Sequence, residues 1–169
     1  MLSRGAREVL AVDVGYGQLA WPLQSDERVL VFDRTNVREL TTDTLGGPVE
    51  VVVSDLSFIS LTVVLPALTG VCEQGGDMVL MVKPQFEVGR ANLGKNGVVR
   101  DPVLHAGAIH DVCLAASQLG WGTRALAPSP LPGPAGNVEY FCWLRTDADE
   151  PELGQAEAAV AAGPLRTES

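Results

Sequence analysis

Apolar runs of strand length alternate with segments of helical spacing along this chain. Arg7–Val14 (REVLAVDV) is β-branched and ends before Gly15, and Gly17–Gln24 follows with Leu19, Trp21 and Leu23 as a partial apolar face. Val29–Asp33 (VLVFD) reads as the next strand and Val37–Leu45 as a short helix. Val49–Ser54 (VEVVVS) is nearly continuous in apolar residues, the pattern of a strand buried on both faces of a parallel sheet. Leu61–Val71 is predicted helical, with Leu61, Val64 and Leu65 turned to the core, and Asp77–Val82 (DMVLMV) is a buried strand. Pro102–Leu119 is the longest helical pattern, placing Val103, Ala106, Ile109, Val112, Cys113, Ala116 and Leu119 on one face. Thr123–Ala127 and Val138–Leu144 complete six strands. Strands alternating with helices predict an α/β fold with a parallel sheet and right-handed crossovers. Residues 146–169, rich in Ala, Glu and Gly and without core-forming aromatics, are expected to form a disordered acidic tail or a frayed helix, leaving 1–145 as the domain.

Composition narrows the field. The 169 residues suit one domain, and 46% hydrophobic against 20% charged excludes a wholly disordered chain. The net charge is −9, and the tail beyond Arg145 holds six acids against Arg166 alone. A polyanion site must therefore be local, because the global balance lacks the basic footprint of a nucleic-acid binder. Three cysteines (Cys72, Cys113, Cys142), odd in number and without CxxC spacing, point to a reducing, cytoplasmic compartment with neither a disulfide framework nor a zinc site. The longest apolar stretch, Ser57–Cys72, is too short to span a bilayer and contains Pro66, so no membrane role is expected. His105 and His110 lack a third ligand nearby, which argues against a metal, and Trp121 and Trp143 are expected in the core.

Polar groups gather where strands end. Asp55 closes VEVVVSD, Lys83 closes DMVLMVK, and Glu139 stands at the start of the last strand. If that strand is antiparallel, its beginning shares an edge with the ends of the parallel strands, and all three converge on one crevice. Carboxylates hold a lysine by charge-assisted hydrogen bonds. A lysine beside another cationic group gives up its proton more readily, as a general base near neutral pH requires. The plainer reading makes Lys83 a surface residue and Asp55 a helix N-cap. The segment Asp13-Val14-Gly15-Tyr16-Gly17 suits a nucleotide-binding turn or a simple tight turn; as a dinucleotide loop it takes Asp33 as its acidic partner, and otherwise Asp13 itself ends the second strand. Lys83–Arg100 is locally basic and glycine-bearing, and Arg90, Lys95 and Arg100 are candidates for contacting RNA phosphates.

Three motifs carry a family resemblance: Asp55-Leu56-Ser57-Phe58-Ile59-Ser60, Val82-Lys83-Pro84-Gln85-Phe86-Glu87-Val88-Gly89, and Ser129-Pro130-Leu131-Pro132-Gly133-Pro134-Ala135-Gly136-Asn137-Val138-Glu139. Together they resemble the TlyA (haemolysin A) family of S-adenosylmethionine-dependent ribosomal RNA 2′-O-methyltransferases, whose catalytic domain is FtsJ-like. The resemblance implies a Rossmann-like class I methyltransferase sheet with helices on both faces, S-adenosyl-L-methionine as cofactor, and ribosomal RNA or ribosomal subunits as partners. It matches Asp55, Lys83 and Glu139 to the last three members of a Lys-Asp-Lys-Glu tetrad, with Lys83 taking the proton of a ribose 2′-hydroxyl. It also makes Asp13 the cofactor-ribose ligand, brings Asn36 to adenine, and sets Asp55 and Leu56 beside the adenosyl group. The family's S4-type RNA-binding domain, first tetrad lysine, first strand and glycine-rich loop lie before the position matching Asp13. The resemblance therefore implies an N-terminally truncated chain, with a sheet of order 3-2-1-4-5-7-6 interrupted at its central strand. An inactive fragment and an NAD-type nucleotide-binding domain are the alternative readings.

Overall fold

The computed structural model describes residues 1–133 and 135–164. Six strands form where the apolar runs lie: β1 (Val9–Val12), β2 (Val29–Phe32), β3 (Val49–Ser54), β4 (Cys72–Val82), β5 (Gly122–Pro128) and β6 (Tyr140–Arg145). They make two sheets. β1 pairs with β2 in parallel, and the other four follow the order β3-β4-β6-β5, with β3 parallel to β4 and β6 antiparallel to both neighbours. No described strand pairs with the second edge of β1 or of β3, so the interruption expected beside β1 is present.

The helices are α1 (Trp21–Gln24), α2 (Thr42–Leu45), α3 (Leu61–Val71), α4 (Pro84–Glu87), α5 (Pro102–Ser117) and α6 (Leu153–Ala161). One apolar core joins α3, α5 and α6 to Val52, Met78, Leu80, Val82, Tyr140, Cys142 and Leu144, which share one face of the four-stranded sheet. The opposite face carries Val51, Val53 and Trp143, all exposed. This corrects two expectations, that helices cover both faces and that β3 is buried on both. The described helices of that sheet lie on one side, so alternate residues of β3 meet solvent. Trp143 is likewise not a core residue; its indole N–H donates to Asp77 Oδ1 at 2.7 Å on the open face. Trp121 is buried as expected.

Other differences are local. The stretch read as one helix over Val37–Leu45 splits into a 3-10 turn, Val37–Glu39, and α2, because Asn36 and Thr41 each cap a separate start. Only Trp21–Gln24 of the first predicted helix forms, and Trp21 and Leu23 are exposed. On α5, Ala106, Ile109, Val112, Cys113 and Ala116 are buried, whereas Val103 near its start is exposed; the helix ends at Ser117, so Leu119 lies beyond it and is exposed. The tail corrects the expectation of disorder. Ala156, Ala159 and Val160 of α6 are buried against α5 and β5, and Asp149 O accepts from Thr123 N–H at 2.8 Å. The last five residues, 165–169, and Pro134 of the third motif lie outside the described residues.

Candidate active site

Topology brings the three chemical candidates to one edge. β3 and β4 run parallel, so Asp55 and Lys83, each the first residue past its strand, emerge side by side. Antiparallel β6 begins at Tyr140 on that edge, with Val82 opposite Tyr140, which sets Glu139 beside Lys83. Pro84 opens α4 and disfavours a helical conformation at Lys83, whose backbone is extended at φ −115°. Lys83 Nζ lies 2.6 Å from Asp55 Oδ1, 3.1 Å from Ser57 Oγ and 3.9 Å from Glu139 Oε1. The side chains of Lys83 and Glu139 are only 10% and 7% exposed, whereas that of Asp55 is 68% exposed. Lys83 is thus no surface residue. Asp55 is no helix cap either, since Ser60 performs that role for α3 and its Oγ accepts from Thr62 N–H.

The site holds residues that the sequence does not single out. Gln85 Nε2 donates to Glu139 Oε1 at 3.0 Å, and a Cβ added at Gly133 would lie 2.7 Å from the same oxygen. Glu139 is therefore fenced on its inner side. Glu87 bridges the Asp55 loop to α4: its Oε2 accepts from Ser60 O–H at 2.5 Å and its Oε1 from Leu61 N–H at 2.8 Å, while burial pushes its carboxyl above the ordinary value. Phe58 has φ 65°, an outlier for a bulky residue, and is 91% exposed with its ring centroid 5.3 Å from that of Phe86. Ser57 and Gln85 each stand two residues beyond a strand-end charge. Besides that offset, their sequence signal is their place in two of the three family motifs; loop polarity alone does not distinguish them.

The expected cofactor residues stand at strand ends as well, but bond within their own loops. Asp13 Oδ1 accepts from Gly15 N–H at 2.7 Å, and Asp33 Oδ2 accepts from Gly17 N–H at 3.0 Å. Both glycine N–H groups are thus engaged by carboxylates, which repel a pyrophosphate; this turn does not suit an NAD-type loop. Asn36 accepts from Arg38 N–H at 3.1 Å and caps the 3-10 turn. Leu56 is half-buried next to Asp55, and Ser54 Oγ, at the end of β3, is buried without a hydrogen-bond partner. Carboxylates and a spare hydroxyl at strand ends fit a neutral, hydroxyl-bearing sugar, so the donor set is compatible with a nucleoside such as the adenosyl group. Arg90, Lys95 and Arg100 are all exposed on the segment between α4 and α5.

Among the described residues, no three His, Cys, Asp or Glu side chains are grouped to hold a metal ion, and no helix is long and apolar enough to cross a membrane. His105 is a buried core residue, and the three cysteines are buried thiols.

The model for FtsJ-like methyltransferases matches residues 1–146. The chain is 56% identical over 149 residues to the 16S/23S rRNA (cytidine-2′-O)-methyltransferase TlyA of Mycobacterium tuberculosis, covering 88% of this chain and 56% of that protein. It is 32% identical over 142 residues to the 23S rRNA (cytidine-2′-O)-methyltransferase TlyA of Campylobacter jejuni, covering 83% and 54%. The chain thus spans little more than half the length of these curated relatives. A solved structure of a hemolysin-type protein from Streptococcus thermophilus superposes with a TM-score of 0.89 at 38% identity, covering 95% of this chain and 59% of that one.

Proposed function

The chain belongs to the FtsJ-like methyltransferase family, and from that premise we propose that it methylates a ribose 2′-hydroxyl of ribosomal RNA with S-adenosyl-L-methionine, in the cytoplasm. The observation that carries this reading is the placement of Lys83 Nζ, 2.6 Å from Asp55 and 3.9 Å from Glu139, with Glu139 on the buried side and Asp55 on the open, solvent-facing side.

S-adenosyl-L-methionine, when bound, supplies a methyl group made electrophilic by its sulfonium. Asp13, Asn36, Asp55 and Leu56 are the residues that would hold its nucleoside end. The remaining chemistry belongs to Lys83. As an ammonium it has three N–H donors; Asp55 at 2.6 Å and Ser57 at 3.1 Å accept from it, and Glu139 at 3.9 Å is an ion-pair neighbour. As a neutral amine it keeps two donors, for Asp55 and Ser57, and turns its lone pair outward. A 2′-hydroxyl arriving from the open side then donates its proton to Nζ, and its oxygen becomes the nucleophile. Glu139, held by Gln85, fixes the far side of the amine, while Asp55 orients the near side. Exposed Phe58 offers its ring as a stacking surface for the base attached to that ribose, as single-stranded RNA bases require. Arg90, Lys95 and Arg100 contact flanking phosphates, which position the strand.

The test is methyl transfer from radiolabelled cofactor to purified ribosomal subunits, followed by alkaline hydrolysis. Label retained in an alkali-resistant dinucleotide is expected, because a methylated 2′-oxygen cannot attack the neighbouring phosphate. Label on the base, or none at all, overturns the reading.

A further inference from the structure

The segment bearing Arg90, Lys95 and Arg100 is tied to the two residues that bracket Val138 and Glu139. Asn137 is 3% exposed, and its side chain bonds to this segment through both ends: Oδ1 accepts from Val99 N–H at 3.0 Å and Nδ2 donates to Gly97 O at 3.1 Å. Val99 O lies 2.9 Å from His105 Nε2, and because a carbonyl only accepts, Nε2 carries the proton. His105 Nδ1 then accepts from Tyr140 O–H at 3.0 Å. Burial keeps His105 neutral by lowering its pKa and holds the Tyr140 phenol protonated, pushed up to about 12, so every donor in the chain has its acceptor. Val99, His105 and Tyr140 are themselves buried. The backbone that carries the exposed cations is thus clamped, from beneath, to the strand start that carries Glu139.

We propose that Asn137 is a positioning residue: it holds the cationic segment preformed beside the strand start that carries Glu139, so that Arg90 and Lys95 present a ready-made phosphate-binding surface next to Lys83. This rests on the RNA reaction proposed above. A clamp that served only folding would not discriminate between substrate binding and turnover.

The experiment compares the native chain with Asn137→Ala and Asn137→Asp, the latter keeping an acceptor for Val99 N–H but losing the donor to Gly97 O. A rise in KM for RNA of about tenfold is expected for Asn137→Ala and a smaller one for Asn137→Asp, with kcat within about twofold and S-adenosylhomocysteine affinity unchanged. Combined with Arg90→Ala/Lys95→Ala, Asn137→Ala should raise KM by less than the product of the separate effects, since the clamp works through those cations. Unchanged KM with a fall in kcat or in cofactor-binding capacity, or a fully multiplicative combination, overturns the proposal. Should neither variant fold, hydrogen exchange of the native chain decides. Strong protection of the Val99 amide supports the clamp, and exchange at the rate of an open loop refutes it. If the native chain transfers no methyl group to RNA, the functional reading fails by itself, and the positioning role is then decided by direct RNA binding: weaker binding by Asn137→Ala supports it, and unchanged binding overturns it.

Discussion

Lys83 is a buried polar side chain, and such a group persists in a fold only with partners that are themselves held. Glu139 is fixed by Gln85 and fenced by Gly133, and Ser57 sits on a loop that Glu87 ties to α4. Removing the amine leaves this frame standing but empty. Lys83→Ala should lower methyl transfer by roughly 10²–10⁴-fold, the usual worth of a positioned general base, with little change in S-adenosylhomocysteine affinity measured by calorimetry. Lys83→Arg should not restore activity, because a guanidinium keeps the charge but cannot give up a proton to become a base. Activity retained in either variant removes Lys83 from the proton-transfer role.

Among the elements, the ones built on large apolar side chains are legible in the sequence and those built on small ones are not. β3, β4 and β6 announce themselves by runs of Val, Leu, Met and Phe, and α3 by Leu61, Val64, Leu65 and Leu68 at helical spacing. The strand-end positions of Asp55, Lys83 and Glu139 follow from those runs, and the antiparallel last strand places the third beside the other two. α6 escapes the pattern because alanine at a close-packed interface looks the same as alanine in a tail. Its available signal is the capping box, Glu152 with Gln155 three residues on, and the i, i+3, i+4 set of Ala156, Ala159 and Val160. The clamp at Asn137 is invisible for another reason, since its partners are backbone groups 38 and 40 residues away. α6 is expected to contribute to the core rather than decorate it. Ala156→Asp, which forces a carboxylate into the interface with α5, should cost about 3 kcal/mol of stability in urea unfolding. A change under about 0.5 kcal/mol, ordinary for a surface site, would show that α6 is peripheral.

At the scale of the whole molecule, local charge differs from the global balance. The tail concentrates acid, whereas the segment beyond Lys83 carries Arg90, Lys95 and Arg100. A net charge of −9 repels RNA at long range, yet at physiological salt that field decays over about 8 Å, so the nearest charges decide binding. The segment that follows Lys83 and α4 carries Arg90, Lys95 and Arg100, and it is anchored through Val99 rather than left as a free loop. Each phosphate they neutralise releases counterions, and the logarithm of the RNA affinity should fall linearly with the logarithm of salt concentration. Replacing all three with alanine should therefore weaken binding and flatten that slope by roughly one unit for each phosphate no longer neutralised. Measured by anisotropy over a salt series, a slope unchanged in the triple variant would place the RNA backbone elsewhere on the molecule. A slope reduced by only about one unit would instead mean that a single cation of the three reaches a phosphate, and the corresponding single variants would then identify it.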